Sequence, residues 1–263
     1  MSSDVESGDL VRAAGNPQSP DSDGNGPMNR ADEFIQLFNR VEGFLSQLVN
    51  RPSFTRFEEL VKVASNNNAA VRANASTLAQ FAKLRNAIVH SEGYPPFIVA
   101  MPSPEALSKF KRVAHEVIEP TPLIPTFERE VRCFSPDDAL LPVLAFMREN
   151  DFSQVIVRGS GGNLGMATVE GITWWLADNL KGSLIPADAA TIGDVIALEP
   201  QGGFKIMGPE MTIFDAADAF RNCIHCDSTR LYAIVITVNG GDKDQPVGFV
   251  TPWDLVNNPR IRR

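Results

Sequence analysis

The chain has 263 residues and a formal net charge of −8, with 43% hydrophobic and 21% charged residues. These values are typical of a soluble globular protein with one large domain or two to three small ones. The acidic balance excludes a broad electrostatic nucleic-acid surface, and no apolar run approaches the roughly 18 residues that span a bilayer. Three cysteines argue against a disulfide scaffold, and the N-terminus lacks the apolar core of a signal peptide. We therefore expect a cytoplasmic protein with no membrane segment.

The first segment, residues 1–29, is rich in Ser, Asp, Gly, Asn and Pro and has few large apolar residues. Such a segment buries too little apolar surface to offset the entropy lost on ordering. It is predicted to be a disordered tail.

Residues 30–119 have the apolar periodicity of helices. From about Asp32, apolar residues recur every three or four positions, which predicts one amphipathic helix. A second helix is predicted over 54–64, with Thr55 and Glu58 as its capping box, and a third over 69–90. A fourth begins at Ser103-Pro104, an N-cap residue followed by Pro at the first helical position, and continues to about residue 117. The sequence therefore predicts a small helical bundle.

A Pro-rich connector at 119–125 leads into alternating strands and helices that occur twice. The first unit has strands at 131–134, 154–157 and 165–168, a helix at 140–149, and a second helix from about 170. The second has strands at 204–207, 231–237 and 247–251 and helices at 213–221 and 253–257, with Thr212 and Asp215 as a cap. Because one unit alone buries too little core, we expect the two to pack face to face.

The most informative segment is Pro246–Leu255, where a buried strand ends at Thr251 and a helix begins. The Thr251 hydroxyl and free N–H groups of the new helix can bind an anion. Asp254, three residues later, can accept two hydrogen bonds from a ribose diol. A weaker copy runs from Leu164 to Ile172, in which Thr168 is kept.

The duplicated strand–Thr–helix unit resembles the cystathionine-β-synthase-type (CBS) domain, which occurs in pairs and binds adenosine nucleotides such as AMP, ADP or ATP. The resemblance covers about residues 120–260. It implies two βαββα repeats, at 120–185 and 186–263, and hence an α plus α/β chain. It also implies that Thr251 contacts phosphate and that Asp254 contacts the ribose. The adenine is expected near Ile206 and Met207, and Tyr232 is expected to face the same cleft.

The first copy departs from the CBS pattern, because Gly171 stands where the aspartate belongs. Thr168 is present, but no carboxylate is available there for a ribose. We therefore expect a weak or empty first site and one nucleotide per chain.

Arg85, Asn86 and His90 at the end of the third helix resemble the Arg–Asn–x–x–x–His signature of HEPN domains, compact helical bundles whose active members cleave RNA without metal. The resemblance implies that His90 acts as general acid or base and that Arg85 stabilises the phosphorane. Arg85 and His90 lie about 140° apart on an ideal helix, so a distorted helix end or a partner subunit must bring them together. An ordinary helix C-terminus is the alternative, because the macrodipole favours His there.

Three interpretations follow from the sequence. The first is a nucleotide-binding regulatory module whose helical domain dimerises or contacts RNA, and the second is a nucleotide-gated HEPN-type ribonuclease. The third is a purely structural dimer, against which the intact Thr251 and Asp254 pair argues. No metal site is expected, because the Cys223–Cys226 segment supplies only half of a closed zinc site. A homodimer is predicted from the HEPN and CBS resemblances.

Overall fold

The structure is a computed structural model that describes residues 29–50, 56–90, 97–98, 100–180, 190–200, 202–224 and 230–258. The predicted disordered tail therefore lies outside the described residues, apart from Asn29. Asn29 caps the first helix, because its side chain accepts a hydrogen bond from the Ala31 amide.

Four helices form the N-terminal bundle: α1 (Arg30–Leu48), α2 (Phe57–Asn67), α3 (Ala69–Ile88) and α4 (Pro104–Ile118). They pack because each carries an apolar stripe that water would otherwise cover. Aromatic rings from all four meet in the core, with Phe110 fully buried and 4.5 Å from Phe81 between ring centroids. The fourth helix begins as predicted, since the Ser103 hydroxyl accepts a hydrogen bond from the Ala106 amide.

Two helix boundaries differ from the prediction. The N-cap of α2 is Arg56, without a side-chain capping bond, so the predicted helix start at residue 54 is wrong. Thr55 of the predicted capping box lies outside the described residues. Helix α3 ends at Ile88, and Val89 already has extended backbone at φ −107° and ψ 114°. Val89–His90 is strand β1, which pairs with β2 (Phe97–Ile98), so the predicted helix to His90 is also wrong. β-Branched residues such as Val89 favour extended backbone.

The C-terminal part contains two units with the same strand order. The first comprises β3 (Cys133–Phe134), α6 (Leu140–Glu149), β4 (Gln154–Arg158), β5 (Leu164–Thr168) and α7 (Val169–Asn179). The second comprises β6 (Phe204–Met207), α9 (Ile213–Ile224), β7 (Ala233–Thr237), β8 (Pro246–Val250) and α10 (Pro252–Val256). In each three-stranded sheet the first pair is parallel and the second antiparallel. The sequence analysis missed two short helices, α5 (Leu123–Thr126) and α8 (Ile192–Ile196).

The two sheets pack face to face, as predicted. One apolar cluster joins Ile156 and Met166 of the first unit to Ala233 and Val235 of the second. Each unit has a further core between its sheet and its own helices. The Gly-rich turn between β4 and β5 forms a hairpin, with Gly162 at φ +84°. This position favours glycine because a Cβ would be strained there.

The segment before the first unit and the segment after it both pack away from their neighbours in sequence. Helix α8 lies beyond residue 185, yet Ile192 and Val195 are buried in the core of the first unit. The connector from 119 to 132 precedes the first unit but runs along the second. There the Leu123 amide donates to the Met211 carbonyl at 2.7 Å, and the Arg129 amide to the Val247 carbonyl at 3.2 Å. The predicted division into repeats at 120–185 and 186–263 stays a prediction.

The bundle is docked on the second unit through α3. Ala69 and Ala70 of α3 belong to the same buried apolar cluster as Ile213 and Phe220 of α9. Arg72 and Asp218 form an ion pair at the edge of this contact. Among the described helices, none is long and apolar enough to cross a membrane.

Candidate functional site

Thr251 and Asp254 form a reciprocal cap at the start of α10. The carboxylate oxygen Oδ2 of Asp254 accepts hydrogen bonds from the Thr251 amide and hydroxyl, both at 2.7 Å. The second oxygen, Oδ1, accepts from the Arg129 guanidinium at 3.1 Å. The strand β8 and the turn into α10 thus place a carboxylate where one oxygen holds the turn and the other meets the connector.

The environment of Asp254 keeps this carboxylate ionised. Burial raises its pKa, but the hydrogen bonds from Thr251 and the positive charge of Arg129 outweigh burial, so the pKa lies below its ordinary value. An ionised carboxylate accepts hydrogen bonds and donates none. The site can therefore receive a diol or a cationic donor at Oδ1 whenever Arg129 moves aside.

A cavity of about 590 Å³ opens beside this cap. Its walls come from three places: the connector before β3, the loop between α6 and β4, and the end of β8 with α10. A volume in this range is typical of small-molecule sites. The lining residues include Arg129, Arg132, Phe146, Phe152, Ser153, Phe249, Thr251, Trp253 and Asp254.

The cavity presents charges of both signs and aromatic surface, since Glu130, Asp151 and Asp254 line it together with the two arginines. Arg132 lies 4.8 Å from the ring centroids of Phe134 and of Phe146, which fixes its guanidinium beside the cavity. Trp253 is 75% exposed at the mouth. Two guanidinium groups and an exposed indole can accommodate an anion and an aromatic ring, respectively.

Sequence analysis missed Arg129, Arg132 and Trp253 as cavity residues. Trp253 was within reach, because it lies between the Thr and the Asp of the recognised pattern. The arginines belong to the first unit by position and reach the second only because the connector crosses over, which no local pattern reveals.

The three residues expected near the adenine lie away from this cavity. Met207 is buried in the apolar cluster of the second unit, and Ile206 packs between the two sheets. The Tyr232 hydroxyl is hydrogen-bonded to the Glu170 carboxylate at the first-repeat turn. Burial and the neighbouring Glu170 raise the pKa of Tyr232 to about 12.

The first-repeat turn does possess a carboxylate, from an unexpected place. Glu199, which follows α8, accepts hydrogen bonds from the Thr168 amide at 2.6 Å and the Thr168 hydroxyl at 2.9 Å. The expectation that no carboxylate is available there is therefore wrong. The reason is tertiary, because Glu199 lies 31 residues beyond Thr168 in the chain. Burial and the charge of Glu170 raise the pKa of Glu199 more than the Thr168 hydrogen bonds lower it.

The three positions of the helical motif lie at the end of α3 and on β1. Arg85 is half-buried in the last turn of α3, and the pKa of Glu42 on α1 is raised by burial and lowered in part by the Arg85 charge. Asn86 is exposed, and His90 lies beyond the helix end on β1. The described residues contain no cluster of His, Cys, Asp or Glu that could hold a metal ion. His225 and Cys226 lie outside the described residues.

Comparison with known proteins gives similarity at the level of solved structures. No protein-family model matches the chain, and no curated protein matches it. Solved CBS-domain structures are similar to about half of it. One is the CBS domain of a CBS-domain-containing membrane protein from Sphaerobacter thermophilus, with 20% identity, a TM-score of 0.42, and coverage of 58% of this chain and 96% of that chain.

Two further similar structures contain nucleotides. CBSX2 was solved in complex with AMP; it is 12% identical, with a TM-score of 0.37, and the match covers 52% of this chain and 93% of that chain. The CBS domain of a bacterial CNNM/CorC family Mg²⁺ transporter was solved in complex with ATP. It is 17% identical, with a TM-score of 0.38, and the match covers 54% of this chain and 87% of that chain.

Proposed function

We propose that residues 120–258 form a CBS-type pair that binds one adenosine nucleotide in the cavity beside Thr251 and Asp254, and that this binding regulates the helical bundle. The observation that carries the proposal is the 590 Å³ cavity into which the Thr–x–x–Asp turn opens together with two arginines. A phosphate group would pair with Arg129 or Arg132, and the ribose would replace Arg129 at the Asp254 carboxylate.

Contacts from the cavity to the bundle supply a physical link for regulation. Arg129 belongs to the connector that leaves α4, so a ligand that draws Arg129 away from Asp254 acts on the connector. On the other side, α10 packs on α9, and α9 packs on α3 of the bundle. A regulatory ligand must interact differently with two states, and the exchange of Arg129 partners provides such a difference.

The role proposed for the bundle is that of the regulated domain, in a homodimer. Ribonuclease activity at Arg85, Asn86 and His90 stays a prediction and is not part of this proposal.

The experiment is calorimetric titration of the full chain with AMP and ATP. Asp254→Ala should weaken binding by about 1.5–3 kcal/mol, the range for lost hydrogen bonds to a charged group. The matched control is Asp215→Ala, because Asp215 caps α9 with the same pattern, accepting from the Thr212 amide at 2.8 Å and hydroxyl at 2.6 Å, away from the cavity. Equal affinity of both variants for the nucleotide, or no binding to the unaltered chain, would refute the proposed site.

A further inference from the structure

The two Thr-containing turns are built alike but receive their carboxylates from different elements. Thr168 ends β5 in the same register as Thr251 follows β8, since Ala167 and Val250 pair with the equivalent Val155 and Ile234. Asp254 belongs to the helix that it caps and leaves the space in front of the turn open. Glu199 belongs to the segment leading into β6 and must reach across to Thr168.

Glu199 fills the space that a helix-borne aspartate would need. Gly171 is the third residue after Thr168, as Asp254 is the third after Thr251. A Cβ atom at Gly171 would overlap Oε1 of Glu199, so the Glu199 carboxylate would have to shift. The side chain of Glu199 therefore occupies the space that is left by the missing side chain at Gly171, although the two residues belong to different segments.

A second contact joins the walls of the same cleft. Tyr232, which leads into β7, is hydrogen-bonded to Glu170 in the first turn of α7. At the other turn the corresponding residues are Ser153 and Trp253, and both line the open cavity. Glu170 and Glu199 also place two carboxylates near Thr168. The cavity at Thr251 has Arg129 and Arg132 in its lining besides the acidic residues Glu130, Asp151 and Asp254. A phosphate at the first turn would meet negative charge.

We propose that Glu199 determines which of the two clefts accepts the ligand: its side chain occupies the first-repeat cleft as an internal substitute for a ligand, and the nucleotide binds only at Thr251 and Asp254. This inference rests on the proposed nucleotide-binding function for the identity of the ligand, but not for the position of Glu199. The chain thereby keeps two similar turns and one available site.

The first test examines position, without any nucleotide. Gly171→Ala should lower the melting temperature of the otherwise unaltered chain, because Glu199 must shift and its hydrogen bonds with Thr168 are disturbed. In a Glu199→Ala background the same substitution should cost little, since the carboxylate is gone. Additive effects of the two substitutions would overturn the proposal, because they would mean that the two side chains do not share the space.

The second test examines closure. Gly171→Asp combined with Glu199→Ala moves the carboxylate onto α7, and calorimetry with ATP should then detect two equivalents per chain in place of one. The same pair in an Asp254→Ala background should bind one equivalent, which assigns the new site to Thr168. A single bound equivalent in the double variant that retains Asp254 would overturn closure by Glu199. The absence of binding in the Asp254→Ala background would overturn it as well.

The two tests separate this inference from the proposed function. If the unaltered chain binds no nucleotide while the Gly171→Asp, Glu199→Ala variant binds one equivalent, the site at Asp254 is refuted and closure by Glu199 is supported. If that variant binds no more ligand than the unaltered chain, closure is overturned whatever the affinity at Asp254.

Discussion

The Asp254 carboxylate has two roles. It stabilises the turn through Thr251, and it presents an ionised oxygen to the cavity through its contact with Arg129. Its two oxygens have different partners, so a ligand can compete for Oδ1 without dismantling the cap at Oδ2. Glu199 likewise accepts both hydrogen bonds from Thr168 at one oxygen, but its carboxylate comes from another element.

The lowered pKa of Asp254 predicts how stability and binding depend on pH. Because the folded state favours the charged form, the contribution to stability is present above the ordinary aspartate pKa of 3.8 and is lost as the pH falls through the lowered value. The unfolding free energy of the unaltered chain should exceed that of Asp254→Asn by about 1 kcal/mol or less near pH 7, since the group is partly exposed. This difference should shrink below about pH 4.

Denaturant unfolding at a series of pH values measures this difference. Nucleotide affinity, followed in parallel, should not change between about pH 8 and pH 5 on account of Asp254. A stability difference that grows as the pH falls below 4 would contradict the expected sign.

At the scale of elements, the connector is held against β8 at one narrow point. A Cβ at Gly248 would lie 2.6 Å from the Phe127 carbonyl oxygen. The connector therefore approaches β8 more closely than a residue other than glycine at position 248 would permit. Arg129 follows two residues later and reaches the cavity from there. The close approach therefore positions an arginine of the proposed site.

Gly248→Ala should push the connector outward. The cost should be about 1–3 kcal/mol of unfolding free energy, the range for overpacking, and the affinity for ATP should fall because Arg129 moves with the connector. Gly165→Ala is the matched control on β5, where a Cβ would meet the Val157 carbonyl oxygen and Ile196 at an ordinary 3.6 Å. Chemical denaturation and calorimetry compare the two variants, and equal effects would argue against the connector contact.

At the scale of the whole molecule, the contact between α3 and α9 couples the bundle to the second unit. Ala70 is 2% exposed within this contact, whereas Ala87 on the same helix is exposed. Small side chains permit the close approach of the two helices. The stability of the contact should therefore depend on side-chain volume on the face of α3 that meets α9, and not on the exposed face.

Ala70→Leu should weaken this docking by about 1–3 kcal/mol, because the added side chain has no space. We expect the bundle and the α/β units to unfold in two separable steps in this variant. Ala87→Leu is the control and should leave the unfolding of the unaltered chain nearly unchanged. Differential scanning calorimetry of both variants provides the measurement, and identical thermograms would refute a role of this contact in coupling.

The elements whose signals are local follow from the amino-acid sequence alone. Apolar periodicity predicted the four helices of the bundle, and Ser103 with Pro104 predicted where α4 begins. The repeated strand–Thr–helix turns predicted two similar units that pack against each other. These signals are local because caps, turns and amphipathic stripes depend on residues within a few positions of one another.

The side chains that meet at the turns depend on how distant segments pack. The connector crosses to the second unit, so Arg129 reaches Asp254 over 125 positions of sequence. The segment after α8 folds back on the first unit, so Glu199 reaches Thr168 and excludes a side chain at Gly171. Residues this far apart in the chain leave no periodicity or spacing to detect. The local pattern therefore located Thr251 and Asp254, while the packing of distant segments decided what surrounds them.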